Sequence, residues 1–429
     1  MPSVRSGAYI TQWIDIMPKI ITQFALGLWG IAPGNYSAIA PIEPGQYAIV
    51  DDKDAVDGFK YLTLEVDSIS GRITYAELRE PSGMAQRRAD GIVGMRDCEG
   101  ACYFTPSGTV FVSGEARQDI LEYNGEGNPT GRRLAVPDCM GPLRIAANLG
   151  FEALTYNAAK HRFWTTTESM LPADGSPLLP IDPSLYEEPL HPLSIEPAEA
   201  DASQAATGTE PETAPLQDGP QIEINADQTF TEAADSLLEL STSGEEMDEE
   251  EDGAANPRFQ NCIRLLSFGD DLKPAESYIY ELDEPLSAGR KGNGVHGVAS
   301  MFALDNGKLL VLEREGFCPR WKYGAFVNHK LYVVDPSQEQ AIPLDTPMQR
   351  VAADWKVRKQ LLVEFRTKLT LFSRTLANYE GVCLGPRLAD GRQTLLLIAD
   401  SQKGMGNFLF HLKDYVGVIV LSADNHLLE

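Results

Sequence analysis

Three glutamates, Glu99, Glu152 and Glu380, stand at matching places in a motif that recurs five times along this chain of 429 residues. Each copy opens on a polar residue at the head of an apolar run, turns, and returns on a second run that closes in an acid. The copies run from Tyr36-Ser37-Ala38 to Asp52, from Cys98-Glu99-Gly100 to Glu115, from Phe151-Glu152-Ala153 to Glu168, from His296-Gly297-Val298 to Glu313, and from Tyr379-Glu380-Gly381 to Asp400. Head and closing acid lie 15 to 20 positions apart, which fits a strand out, a tight turn and a strand back. Both ends of a hairpin share one edge. Five hairpins around an axis would gather Glu99, Glu152 and Glu380, with Ser37, at the mouth of a central channel. Asp51, Asp52, Glu115, Glu168, Glu313 and Asp400 would form a second ring. Converging carboxylates repel, and burying one unpaired is costly. Something must compensate them, although Glu99, Glu152 or Glu380 taken alone could cap a strand end or pair with an Arg. An oxygen-rich ligand set points to calcium, a hard cation of flexible coordination, and away from zinc, with His296 the exception.

Hydrolysis at such a mouth would use a metal to polarise a phosphoryl oxygen or activate water. A carboxylate of the outer ring would act as general base. Lys53, Arg117 and Arg314 would neutralise an anionic substrate. The plainer readings are local: Glu313 with Arg314, Glu115 with Arg117 and Asp52 with Lys53 could be ion pairs, and His296 a packed histidine. The sequence has no nucleophile elbow, no Gly-rich phosphate loop and no dinucleotide fingerprint.

The elements that must position these groups are short strands. The returning strands read QYAIVDD, TVFVSGE, RFWTTTE, KLLVLER and QTLLLIAD, after turns such as Glu43-Pro44-Gly45 and Asp305-Asn306-Gly307. Between the hairpins lie paired strand candidates: 61–67 with 72–78, 119–124 with 132–137, 262–268 with 277–283, and 330–335 with 360–365. After the fifth hairpin only 415–421 follows, so its partner is expected from the N-terminal run 20–31. The expectation is an all-β propeller of five four-stranded blades spanning 20–422, closed by both ends of the chain. The long gap between His296 and Glu380 leaves room for a sixth blade. A β-sandwich would account for many short strands but not for the repeat.

The formal net charge is −26. One segment carries most of it: residues 171–256 hold 22 Asp and Glu and no Lys or Arg, leaving 40 acids against 36 bases elsewhere. That segment, rich in Pro, Ala, Ser and Thr, is expected to be a disordered insertion within the propeller, and residues 1–19 an N-terminal extension. The nearly balanced body lacks the basic footprint of nucleic-acid binding. No run is long and apolar enough for a membrane span. Six cysteines show no Cys-x-x-Cys and no zinc spacing, and are read as buried thiols, with Cys98 and Cys102 facing the same side. A monomer is expected, either periplasmic or secreted with its leader removed, which is the favoured reading, or cytoplasmic.

The run CEGACYFTPSGTVFVSGE, then NLGFEALTYN with FWTTTES, then HGVASMFALDNGKLLVLERE, then NYEGVCLGPRLADGRQTLLLIADSQ resembles the phytase-like family described as having esterase-like activity. The resemblance spans most of residues 35–422 apart from the acidic insert. The same skeleton is similar to calcium-activated nucleotidases of the apyrase type, five-bladed propellers with calcium at the centre. The resemblance implies Glu99, Glu152 and Glu380 as carboxylate ligands and Ser37 as a further oxygen donor. Aligning the turn at Gly307 with that at Gly45 sets Ala299 opposite Ser37, where these families often have Ser. A backbone carbonyl at Ala299, or Ser300 by a shift, would then complete the set. The resemblance further implies that Asp51, Asp52 and Lys53 form an acidic-basic cluster at the substrate mouth. Joined to the hairpin reading, the expectation is a calcium-dependent phosphoester hydrolase acting on a small organic phosphate, with Asp52, Lys53, Glu115, Glu168, Glu313, Arg314 and Asp400 around the substrate. A non-catalytic propeller that binds a ligand or protein partner, and a sugar-active or lactone-cleaving enzyme using Trp164, Trp321 and Tyr323, are the alternatives.

Overall fold

In the computed structural model the described residues are 19–94, 96–141, 145, 150–171, 174, 261–370, 373–406, 411–423 and 426–428. They form five four-stranded antiparallel sheets arranged as the blades of a propeller. Blade I runs Tyr36–Glu43, Gln46–Asp51, Lys60–Val66 and Ile73–Arg79 from the axis outward. Blade II runs Cys98–Phe104, Thr109–Gly114, Asp119–Tyr123 and Pro129–Arg133. Blade III runs Phe151–Asn157, Arg162–Thr167, Cys262–Gly269 and Pro274–Glu281. Blade IV runs Gly292–Ala303, Leu309–Pro319, Phe326–Val334 and Lys359–Lys368. Blade V takes Asn378–Arg387, Gln393–Asp400 and Tyr415–Val420, and its outer strand is Lys19–Ala25 from the other end of the chain. Lys19–Ala25 pairs antiparallel with Tyr415–Val420, so the ring is closed by both chain ends, as the unpaired strand at 415–421 requires. The gap before Glu380 holds the long strands of blade IV and no sixth blade among the described residues; the one further sheet among them is a short parallel pair, Thr375–Leu376 with His411–Leu412.

The first strands of successive blades pack against one another around the axis. The apolar core is correspondingly divided, one cluster per blade interface. Ala38, Val50 and Tyr123 join blades I and II; Phe104, Phe163 and Phe268 join II and III; Trp164, Tyr280 and Val311 join III and IV. Leu312, Tyr379 and Leu397 join IV and V, and Ile49, Leu396 and Val418 close V onto I. First and second strands are buried on both faces because each blade has a neighbour on either side. This explains their near-continuous apolar runs. The outer strand Pro129–Arg133, fully exposed, carries no such signal, and it forms three residues earlier than the apolar run at 132–137 suggests.

The segment 171–256 is not wholly external. Leu171 belongs to the core between blades II and III. Asp174 is buried and receives Arg264 Nε at 2.5 Å and Nη2 at 2.6 Å, with the Met348 amide at 2.8 Å. The rest of that segment, and residues 1–18, lie outside the described residues. No helix among the described residues is long and apolar enough to cross a membrane.

Candidate metal centre at the channel mouth

Every first strand carries one extra residue relative to its partner, a β-bulge, at the start of the motif. The ladder steps from Tyr36 to Ala38, from Cys98 to Ala101, from Phe151 to Ala153, from Val298 to Ser300 and from Tyr379 to Gly381 while the partner advances less. The bulged positions hold Ser37, Glu99 (with Gly100), Glu152, Ala299 and Glu380. A bulge re-aims the side chain it frees, so the same local defect presents one residue per blade to the axis. Ala299 thus takes the position that Ser37 takes in blade I. Ser300 does not shift in, because its hydroxyl accepts a hydrogen bond from the Val382 amide at 3.1 Å. Glycine follows two of the bulged glutamates for a steric reason. A Cβ on Gly100 would stand 2.6 Å from Glu152 O, and one on Gly381 2.8 Å from Ile39 N, both backbone atoms of the next blade.

Counting from the bulge corrects the outer ring. The second-strand residue facing the pre-bulge position is Asp51, Gly114, Thr167, Glu313 or Ala399. The residue after it is therefore Asp52, Glu115, Glu168, Arg314 or Asp400. Four blades place an acid at this position, and blade IV places Arg314. Glu313 points to the opposite face of its strand and is held away from the mouth. It accepts from Tyr280 OH at 2.7 Å, Asp283 N at 3.2 Å and Lys359 Nζ at 2.5 Å. Asp51 pairs with Lys60 at 2.8 Å. Arg117 is exposed, and the carboxylate it acts on is Asp57. His296 lies beside Glu313 and Glu315, held neutral-leaning by burial.

Arg314 is 8% exposed. Its Nη2 donates to Glu168 at 2.7 Å, and its Nη1 donates to Glu380. Glu380 also receives Asn378 Nδ2 at 2.7 Å. On the other side Lys53 Nζ stands 3.1 Å from Asp52 and 2.7 Å from Asp97. Glu115 accepts from the Gly150 amide at 2.9 Å, and Asp400 from the Gln402 amide at 2.6 Å. Glu99 and Glu152 are 7% and 9% exposed. Neither carboxylate receives a hydrogen bond among the described residues. What surrounds them are further carboxylates: Asp52, Glu115, Glu168 and Glu380.

The electrostatics follow from this crowding. Burial, then Asp52, Glu152 and Glu115, push the Glu99 carboxyl well above its ordinary range. Burial, then Glu168 and Glu115, do the same to Glu152 against the pull of Arg314. Asp400 is raised well above its usual value by burial and Glu380. Glu115 is pushed up to about 7 by burial and Glu168. Asp52 rises to about 9 through burial and its contact with Asp97. Burial would also raise Asp97, but hydrogen bonds from Asp52 and Lys53 outweigh it, and Asp97 falls. The pair thus keeps one proton, on Asp52. Arg314 stays charged, its acidic neighbours outweighing burial.

Two buried glutamates without donors, facing each other among oxygen atoms, fit a hard cation. Glu99 and Glu152, with Ser37 and the backbone at Ala299, would hold it, whereas Glu380 is already bound to Arg314 and Asn378. The Ser37 hydroxyl makes one long bond, to Asn35 O at 3.4 Å. A second convergence is Asp52, Asp97 and Glu99, with one carboxylate oxygen of each within 4.8 Å of the others. Asp97 is absent from the motif reading. It sits one residue before Cys98 in a left-handed backbone, φ 55°, and its signal in the sequence is the pair of acids flanking Cys98.

Blade IV rises above this mouth. Its first strand begins at Gly292, seven residues before the bulge at Ala299, and its second ends at Pro319. The turn beyond bears Trp321, 89% exposed, and Tyr323, 58% exposed. Trp164 is buried between blades III and IV. All six cysteines are free thiols. The bulge at Glu99 separates Cys98 from Cys102, which enter the clusters on opposite faces of blade II rather than the same one.

A family model described as phytase-like, esterase-like activity of phytase, matches residues 31–221 and 239–402. No curated protein matches the chain in sequence. Among solved structures the chain is similar to a streptogramin B lyase at 10% identity and TM-score 0.32, covering 93% of this chain and 97% of that one. It is similar to an endo-arabinase from Bacteroides thetaiotaomicron at 8% identity and TM-score 0.37, covering 96% and 98%. A β-propeller domain from Myceliophteria thermophila matches at 7% identity and TM-score 0.29, covering 94% and 100%.

Proposed function

The chain belongs to the phytase-like family, and from that premise we propose that its channel mouth is a calcium-dependent phosphoester hydrolase site acting on a small organic phosphate. The family supports a phosphoesterase-type hydrolase. The observation that carries the finer reading is the pair Glu99 and Glu152, buried, facing the axis and without a hydrogen-bond donor.

Calcium held by Glu99, Glu152, Ser37 and the Ala299 backbone would supply Lewis-acid polarisation of a phosphoryl oxygen. The chain's own groups divide the remaining work. Glu115, raised to about 7, is matched to take a proton from water near neutral pH. Lys53 is half-exposed at the rim and can meet the anionic oxygens of a substrate. Arg314 is buried and committed to Glu168 and Glu380, so it positions those carboxylates rather than touching substrate. Asp52 follows the second strand of blade I and Asp400 ends that of blade V, and both shape the charge that a substrate meets.

The test is a screen of phosphomonoesters, phosphodiesters, nucleotides and carboxyl esters with the full chain, with and without calcium. Calcium-dependent turnover of a phosphoester is the expected result. Turnover of carboxyl esters alone, or none with calcium bound, would reject the reading.

A further inference from the structure

We propose that Asp52, Asp97 and Glu99 form a second divalent-cation position, off the channel axis, and that the Lys53 ammonium holds this position until a cation displaces it. The proposal rests on the reading of the mouth as a cation site, because Glu99 belongs to both sets.

The three carboxylates come from two blades. Asp52 follows the second strand of blade I, and Asp97 and Glu99 open blade II. One oxygen of each lies within 4.8 Å of the others, a spacing one hard cation can span. Lys53 Nζ already stands between two of them, 3.1 Å from Asp52 Oδ1 and 2.7 Å from Asp97 Oδ1. The side chains of Asp52 and Asp97 are 15% and 21% exposed, whereas that of Lys53 is 51% exposed. The ammonium therefore reaches in from solvent on a flexible stem and can withdraw without unpacking anything. Glu99 is the independent sign of a ligand. It is more than nine-tenths buried, directs its carboxylate into the cluster, and receives no hydrogen bond among the described residues. The ammonium engages Asp52 and Asp97 and leaves Glu99 without a partner, while one divalent ion would engage all three carboxylates.

The opposite side of the mouth shows why exchange is confined here. Arg314 is buried and bonded to Glu168 and Glu380 together. Withdrawing it would strand two buried carboxylates, which is prohibitive. The exchange at Lys53 is a swap of ions with no covalent step; the ammonium keeps its proton and moves to solvent.

Calcium titration by calorimetry, with elemental analysis of the full chain, tests this. The expected stoichiometry is two ions per chain. Asp97→Asn should lower it to one by removing only the off-axis position, and Asp52→Asn should repeat that loss. Glu152→Gln should also leave one ion, the off-axis one. Lys53→Gln should tighten one of the two ions by about tenfold or more, since a unit charge at contact distance near a protein surface is worth this much. Lys403→Gln removes the same charge from the same rim, where Lys403 Nζ lies 3.2 Å from Lys53 O, and should change affinity by only about twofold at such screened distances. One ion per chain, lost in Glu152→Gln and retained in Asp97→Asn and Asp52→Asn, would overturn this inference and spare the axial reading. No ion bound by any form would overturn both. Equal tightening in Lys53→Gln and Lys403→Gln would overturn the displacement.

Discussion

Two halves of one channel mouth, built from the same motif, neutralise their acids differently. On the side of blades III to V, Arg314 is locked between Glu168 and Glu380, and the charge balance is part of the fold. On the side of blades I and II, a half-exposed Lys53 rests on Asp52 and Asp97, and Glu99 has no donor among the described residues; Glu152, on blade III where the two sides meet, has none either. The difference comes from one repeat position, where four blades carry an acid and blade IV carries arginine. On the proposed reading, the repeat holds one half of a charged site permanently closed and leaves the other half open to exchangeable cations.

The sharpest way to break this comparison is to remove each resident cation in turn. Arg314→Met should destabilise the protein by about 3–5 kcal/mol, because it leaves two buried carboxylates uncompensated. Lys53→Gln should cost no more than about 1 kcal/mol, as expected for a solvent-screened pair. Urea denaturation of the two variants measures both, and equal costs would erase the distinction. Removing calcium should come next in size. Chelation should lower Tm, and calcium at a hundred times its Kd should restore about 2.7 kcal/mol, more effectively than magnesium.

pH sharpens the same contrast. In the metal-free protein Glu115 keeps its proton up to about 7, through burial and Glu168, with Asp97 adding and Lys53 and the Gly150 amide opposing. Its unfolded counterpart loses that proton near the ordinary glutamate value. The folded state therefore binds more protons between these limits, and stability must fall as pH rises through that window. Glu99 and Glu152, raised in the same direction, deepen the fall. Tm of the chelated protein should drop from pH 5 to pH 8, and saturating calcium should flatten the slope. A chelated Tm that rises across this range would contradict the account. The smallest effect should come from deleting residues 177–256 with a short Gly/Ser bridge, which should preserve a single cooperative transition provided Asp174 is kept for Arg264.

The ring of Ser37, Glu99, Glu152 and Glu380 was legible because each follows an apolar head and precedes a turn at near-constant spacing. The closure by Lys19–Ala25 was legible because the strand at 415–421 had no partner. Blade IV was harder. LLVLE ends in an acid like its counterparts, so Glu313 seemed the equivalent of Glu168. Only the ladder shows that the bulge falls at Ala299, three residues after His296, and that Arg314 follows in the ring. A bulge changes strand parity without leaving any mark in composition, which is also why Cys98 and Cys102 part company. Asp97 escaped notice because its backbone, not its side chain, is unusual: a left-handed residue turns it toward Lys53. The pairing of Asp174 with Arg264 joins positions 90 residues apart, a distance that no local pattern reports.

The central claim is that the donor-free glutamates on the axis bind a cation needed for phosphoester turnover. Calcium titration beside turnover of a phosphomonoester, in Glu152→Gln and Glu115→Gln, tests it most directly. Glu152→Gln should weaken calcium binding and lower turnover by orders of magnitude, with partial rescue at high calcium. Glu115→Gln should lower kcat while leaving calcium affinity nearly unchanged, because it serves the proton and not the metal. Unaltered calcium binding in Glu152→Gln, or turnover indifferent to both substitutions, would contradict the account.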